Sequence, residues 1–233
     1  MTDLSAFPIT RKWPPRTAGA IQLYSLPTPN GVKVSVMLEE CGLAYDAHKV
    51  DFGSNDQFSP EFLSLAPNNK IPAILDPAGP DGTPVGLWES GAILIYLGEK
   101  TGRFLPAAGA ARAEVIQWLM WQMGGLGPMF GQYGFFHVFA GKAIEDPRPR
   151  QRFADESRRL LGVLDGRLAD RDWVAGDYSI ADMAIASWLW GASKYYGMPE
   201  ALDWGPYPRV SAYLERFVAR PAVQRGLVQP PRQ

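Results

Sequence analysis

With one cysteine, Cys41, in 233 residues, the chain can form neither an internal disulfide nor a CxxC redox pair. Histidine is equally scarce. His48 and His137 are the only two, far apart, with no cysteine or carboxylate at ligand spacing beside them, so no metal site is expected. A Cys–His or Ser–His catalytic pair is likewise not expected, and His48, on an alternating segment, reads as a surface residue. No stretch reaches the roughly eighteen consecutive apolar residues of a membrane span. The first twenty residues hold two short apolar patches broken by Pro8, Pro14 and Pro15. They lack the continuous apolar core of a signal peptide and read as an extension. A net charge of −1 argues against broad nucleic-acid binding and leaves a small or peptide-like partner. Together these absences fit a cytoplasmic protein without a membrane anchor.

What is present is an ordinary globular composition, 46% hydrophobic and 20% charged, long enough for one large or two compact domains. "IQLYS" (Ile21 to Ser25) and "YDAHKVD" (Tyr45 to Asp51) alternate as strands around the helical "VKVSVMLEECG", which Gly42 closes, giving one parallel βαβ unit. Ser59 and Pro60 open a short helix that stops by Pro67. "KIPAILD" and "VGLWE" flank the turn-rich "PAGPDGTP" as a hairpin, and "SGAILIYLGEKTG" is an apolar helix closed by Gly102. The order βαβ then ββα predicts a mixed four-stranded sheet with helices on its faces. After Leu105 the pattern is helical only. Ala108 to Phe139 is rich in Trp, Met and Gly; Phe153 to Leu168 has helical spacing; Ser179 and Asp182 open a further helix as a capping box. "YPRVSAYLERFVARPAV" supplies another helix, ended near Pro221. The expected organisation is an extension over 1–20, an α/β domain over 21–104 and an all-α domain over 105–233, with the boundary in "GRFLPAAG".

Three stretches carry chemistry. In "LPTPNG" the helix N-terminus offers unpaired N–H groups and about half a positive charge, and Thr28 and Asn30 add side-chain donors. Neither is a plausible nucleophile, so the turn suits an anion brought from outside; simple N-capping by Asn30 would use the same residues. Cys41 fails as the reactive group, because it lies roughly 15 Å further along the helix, near the negative end, and reads as a small apolar residue. In "NNKIPAI", Pro72 opens a strand where it cannot donate. A cis Ile71–Pro72 bond would leave the Ile71 backbone free to pair with an extended peptide, though an ordinary edge-strand proline has the same sequence. In "LWES", Ser90 can cap the next helix and Glu89 is a fixed carboxylate, a pair that suits the zwitterionic end of an amino acid or merely a capped helix. The cluster "RPRQR", Arg148 to Arg152, reads as a solvated helix start from which one arginine could reach an anion.

In this order the three stretches resemble the cytosolic glutathione transferase family, over nearly everything after Gly19, with "YSIADMA" and "RPAV" as later landmarks. "TPNG", "GSNDQFSPEFL", "NNKIPAI", "ESGAILIYL" and "QWLMWQMGGLGPM" resemble its nu class, bacterial glutathione-dependent disulfide reductases; a prion-forming nitrogen regulator shares the pattern. The resemblance implies a thioredoxin-like domain followed by a helical domain. It also implies a homodimer, and glutathione as co-substrate, possibly two molecules per site. Carried over by position, it implies that Thr28 and Asn30 contact the glutathione sulfur and that Ile71, before cis Pro72, pairs with the cysteinyl unit. Glu89 and Ser90 would hold the γ-glutamyl end, Gln57 and Lys70 would line the glycine end, and Arg152 would meet a second glutathione. Tyr24 and Ser25 stand where other classes place their activating hydroxyl, and Ser25 is the competitor to Thr28 and Asn30. The implied activity is disulfide reduction by the bound thiolate. Conjugation to an electrophile is the alternative, its pocket lined by Trp, Met and Phe residues of Trp118 to Phe139, and a non-catalytic glutathione-binding regulator is a further one.

Overall fold

The computed structural model describes residues 4–231, which cluster into two compact units. The first comprises 4–103 together with 221–231, the second 104–220.

In the first unit, α1 (Ile9–Lys12) precedes β1 (Ile21–Ser25), α2 (Gly31–Cys41), β2 (Tyr45–Lys49) and α3 (Pro60–Leu63). The chain continues through β3 (Ala73–Asp76), β4 (Val85–Trp88) and α4 (Ser90–Thr101). The sheet order is β2-β1-β3-β4, with β1 and β2 parallel and the other two pairs antiparallel. The expected mixed sheet is therefore present. Alternation along the strands sends Tyr24, Ala73 and Leu75 to one face, where they meet Ile9, Phe62 and Leu65 in a buried cluster. Leu23 and Ile74, paired in register, point the other way and are fully buried. α4 packs on β3 and β4, and α2 packs on α4. Gly42 and Gly102 end α2 and α4 in the left-handed conformation that glycine adopts without a Cβ penalty. Ser59 accepts from the Phe62 amide at the start of α3, as its sequence suggested.

The extension is built into this unit. Phe7 and Trp13 pack against the cluster that contains Ile9. Trp13 Nε1 donates to the Lys49 carbonyl at 3.0 Å, and the backbone amides of Arg16 and Thr17 donate to the Asp46 carboxylate at 2.7 and 2.8 Å. This segment covers the outer edge of β2. It also corrects the reading of His48 as a surface residue: the ring is 6% exposed, stacks on Tyr24 at 5.0 Å and meets Gln22 Oε1 at 2.8 Å.

The second unit is helical: α5 (Gly109–Trp121), α6 (Gly127–His137), α7 (Arg148–Arg167), α8 (Ile180–Tyr196), α9 (Met198–Ala201) and α10 (Pro208–Val218). A π-helical turn, Gln122–Leu126, joins α5 to α6. α8 is its axis, packed by α5, α6 and α10 and buried almost continuously from Ile180 to Ala192. Its N-terminus carries the expected capping box. The Asp182 carboxylate accepts from Ser179 N, Ser179 Oγ, Val174 N and the Tyr213 hydroxyl, each at 2.9 Å.

The last helix, α11 (Pro221–Gly226), packs on α2 and so lies with the first unit, although the sequence reading placed it in the helical half. Ser35 Oγ donates to the Gly226 carbonyl at 2.6 Å, and Arg225 pairs with Glu39 at 2.7 Å.

Candidate functional site

The β1–α2 turn is organised by Thr28. Its amide donates to Leu26 O at 2.7 Å, its Oγ1 accepts from the Gly31 amide at 3.2 Å, and its carbonyl accepts from Val32 N at 3.0 Å. The first turn of α2 is thus capped by Thr28. Asn30 stands at the cap position in helical conformation and makes no side-chain capping bond, so capping does not account for an asparagine there. Both side chains are half-buried and reachable. Tyr24 and Ser25 are fully buried behind them, Tyr24 in the cluster below the sheet and Ser25 with its hydroxyl turned to Leu26 O at 3.4 Å. Burial pushes the Tyr24 phenol well above its ordinary range, as expected of a group that is not ionised for catalysis.

Strand register gathers the other stretches at this end of the sheet. Tyr24 pairs with Ala73, and Ala73 pairs with Trp88. Continuing both ladders by two residues sets Ile71 between Leu26 on one side and Ser90 on the other. The Ile71–Pro72 bond is cis. Glu89 is exposed and sits at φ 71, the left-handed region that few residues other than glycine adopt, just before α4. α4 begins at Ser90, one residue earlier than a Ser90 cap would require; Glu89 holds the cap position without a side-chain capping bond. Ser90 is 3% exposed, and its Oγ accepts from Lys33 Nζ at 3.3 Å.

Lys33 was not singled out from the sequence. It lies in the first turn of α2, is fully buried, and its ammonium is pulled down to about 7, chiefly by burial and against the opposing charge of Glu89. A lysine between valines in "GVKVSVML" was the available signal, since a charged residue flanked by apolar ones on a buried helix must find a polar environment.

Gln57 lies in a short 3₁₀ turn, Asp56–Phe58, and its Oε1 is buried without a hydrogen-bond partner. Lys12 steadies that turn through Asp56 at 2.7 Å. Lys70 is exposed immediately before Ile71. Thus Thr28, Asn30, Ile71, Pro72, Glu89 and Ser90 converge at one end of the sheet, and Gln57 and Lys70 belong to the same unit. Arg152 belongs to the second unit, exposed on α7 and 3.8 Å from Glu156. Within Trp118 to Phe139, Trp118, Phe130 and Tyr133 are buried in the helical unit, whereas Met120, Phe135 and Phe139 are exposed. Cys41 is half-buried near Met37 and Thr101, and burial raises its pKa. Among the described residues, no group of three or more His, Cys, Asp or Glu side chains is placed to hold a metal ion, and no helix is long and apolar enough to cross a membrane.

An end of the sheet that brings together the Thr28–Asn30 turn, the Ile71 backbone before a cis proline and a Glu–Ser helix start can hold an extended peptide carrying an amino-acid terminus and an anionic centre. Comparison with known proteins points the same way. The family of glutathione S-transferase N-terminal domains matches residues 19–99, and that of the C-terminal domains matches 132–221. The disulfide-bond oxidoreductase YfcG of Escherichia coli is 46% identical over 90% of this chain and 95% of its own. A glutathione transferase from Burkholderia graminis, solved with two glutathione molecules per subunit, is 61% identical and superposes with a TM-score of 0.98, covering 100% of this chain and 98% of its own. Another, from Pseudomonas putida with one glutathione disulfide per subunit, is 60% identical with a TM-score of 0.96, covering 98% of this chain and 100% of its own.

Proposed function

This chain belongs to the glutathione S-transferase family, and we propose that it is a glutathione-dependent disulfide reductase whose reactive thiol comes from the bound tripeptide. The observation that carries the reading is the β1–α2 turn: Thr28 caps α2, the half-buried Asn30 side chain makes no capping bond beside that helix N-terminus, and the chain's one cysteine, Cys41, is the last residue of the same helix. Two solved relatives hold glutathione or its disulfide, and a further relative is named for disulfide oxidoreduction, which supports the same chemistry.

Glutathione supplies the thiolate: two molecules give up two electrons to the substrate disulfide, which leaves as two thiols while they leave joined as glutathione disulfide. The chain's residues hold and orient. The Thr28–Asn30 turn, at the positive end of α2, lowers the cost of the thiolate and aims it. The Ile71 backbone, ahead of Pro72, pairs with the cysteinyl unit in strand fashion. Glu89 takes the γ-glutamyl ammonium and Ser90 the carboxylate, and the orphaned Gln57 Oε1 supplies an acceptor near the glycine end, with Lys70 for its carboxylate. Arg152 is assigned to a second glutathione. The protein acts as a homodimer in the cytoplasm.

The test is turnover of a small mixed disulfide with glutathione, beside conjugation of an aryl halide, for wild type, Thr28→Ala and Cys41→Ala. Reduction should dominate, fall at least about tenfold in Thr28→Ala and persist in Cys41→Ala. Dominant conjugation would make the protein an electrophile transferase, inactivity in both assays with intact glutathione binding would make it a binding protein, and loss in folded Cys41→Ala would end the cofactor-thiol mechanism.

A further inference from the structure

Resting on that reading, we propose that the extension before β1 serves the glutathione site: Lys12 is a positioning residue that holds Asp56, and through it the Gln57 turn, so that affinity for the glycine end of the tripeptide depends on the extension.

The extension lies before the stretch matched by the family's N-terminal domain, which begins at residue 19. Its contacts nevertheless gather behind one loop, the connection from β2 to α3. Ile9, Phe7 and Trp13 pack into the cluster that contains Val50 and Phe62, one at each end of that connection. Trp13 Nε1 grips the Lys49 carbonyl at 3.0 Å, and its ring meets Phe62 edge-on at 6.3 Å. Between these anchors Phe52 to Asn55 are exposed, and the loop is closed by Asp56. Asp56 Oδ2 accepts from the Asp51 amide at 2.8 Å, and Asp56 Oδ1 meets Lys12 Nζ at 2.7 Å. The Lys12 ammonium is itself held over the Trp13 ring, 5.0 Å from its centre. The Asp56 side chain is only 13% exposed, so the pair is partly withdrawn from water and less screened than the surface pairs of α7. Gln57 comes next. Among the described residues its side chain makes no hydrogen bond, so its place is set by its neighbours. On one side is Asp56; on the other is Ser59, whose amide and hydroxyl both donate to the Asp56 carbonyl, at 3.0 and 2.8 Å. Asp56 therefore closes the loop before Gln57 and the turn after it, and Lys12 fixes that carboxylate from outside the loop.

The experiment is calorimetric binding of glutathione and of γ-glutamylcysteine, the same peptide without its glycine, with thermal melting of each protein. The proteins are wild type, Lys12→Met, Lys12→Arg, Asp56→Asn and the Lys12→Met, Asp56→Asn double variant. Wild type should prefer glutathione. Lys12→Met and Asp56→Asn should each weaken glutathione about fivefold and leave γ-glutamylcysteine within about twofold. Lys12→Arg, which keeps the charge, should restore the preference, and the double variant should lose no more than the weaker single one, because both remove the same contact. Equal weakening of both ligands, unchanged glutathione affinity in both single variants, or a failure of both to fold would make Lys12 structural and overturn the proposal. A wild type that binds the two ligands equally overturns it as well, since no glycine-end contact is then left to position. Wild type that binds neither ligand would instead overturn the functional reading beneath it, a result distinguishable because it needs no variant.

Discussion

His48 shows how a single buried side chain sets the chemistry of its surroundings. Gln22 Nε2 donates to Ala20 O and to Asp46, which leaves Gln22 Oε1 as the acceptor for His48, so the neutral ring carries its proton on Nε2. Burial first, then the nearby Arg16 charge, hold His48 at about 4, with Asp46 opposing. A histidine depressed in the folded chain binds its proton more readily once unfolded. Its contribution is therefore complete above the ordinary value near 6.5 and is lost as pH falls from there toward 4. The full effect is about 3 kcal/mol. Denaturant unfolding at pH 7.5 and pH 5 should show a steeper acid loss for wild type than for His48→Gln, which keeps a donor but does not titrate; parallel losses would show that His48 is charged in the folded state. The sequence placed this histidine correctly on a strand, but the cover over β2 comes from residues 13–17, and nothing local announces that packing.

At the scale of elements, the ends of helices were the legible part. Gly42, Gly102, Ser59 and the Ser179–Asp182 box act through bonds within a few residues, and each stands where its local chemistry put it. The mixed four-stranded sheet was legible for the same reason, since alternation and one turn-rich hairpin leave few arrangements, whereas the order of its strands came only from the structure. Contacts made across the fold were not legible. Lys33 reaches α4 across 57 positions; and even close in the chain, Thr28 rather than Asn30 caps α2, and Gly31 is needed for closeness rather than for a turn. A Cβ on Gly31 would lie 2.0 Å from Leu26 O and 2.6 Å from Ser25 Oγ, one of them backbone, so the turn and the helix would have to part. Gly31→Ala should cost roughly 2 kcal/mol or more in unfolding free energy and reduce disulfide turnover by at least about a hundredfold. Gly42→Ala is the control. There a Cβ meets nothing within 4 Å and only the left-handed backbone is penalised, so it should cost about 1 kcal/mol and spare kcat. Equal effects of the two substitutions would show that the Gly31 contact is not what holds the turn.

Over the whole chain, the feature furthest from sequence reading is α11. Contiguity assigned it to the helical half, yet its partner is α2, through a Ser35–Gly226 hydrogen bond that spans 191 positions. The approach is close: a Cβ on Gly226 would lie 2.6 Å from Val36 Cα, so the two backbones touch where only glycine permits it. α2 is also the helix that carries Gly31 and Lys33 and opens at Thr28 and Asn30. Removing residues after Arg220 would cost Ser35, now fully buried, the shorter of its two hydrogen bonds and expose Val36 to water. The cost should fall on the α2 side of the site rather than on the helical unit. A chain ending at Arg220 is expected to melt lower and to bind glutathione at least about tenfold more weakly, while hydrogen exchange in α8 stays slow. Gly226→Ala, with the chain intact, should reproduce the same pattern at smaller amplitude, because it separates the helices without deleting one. If exchange instead quickened in α8 while α2 stayed protected, α11 would be supporting the helical unit, and the coupling of α11 to the β1–α2 turn would be wrong.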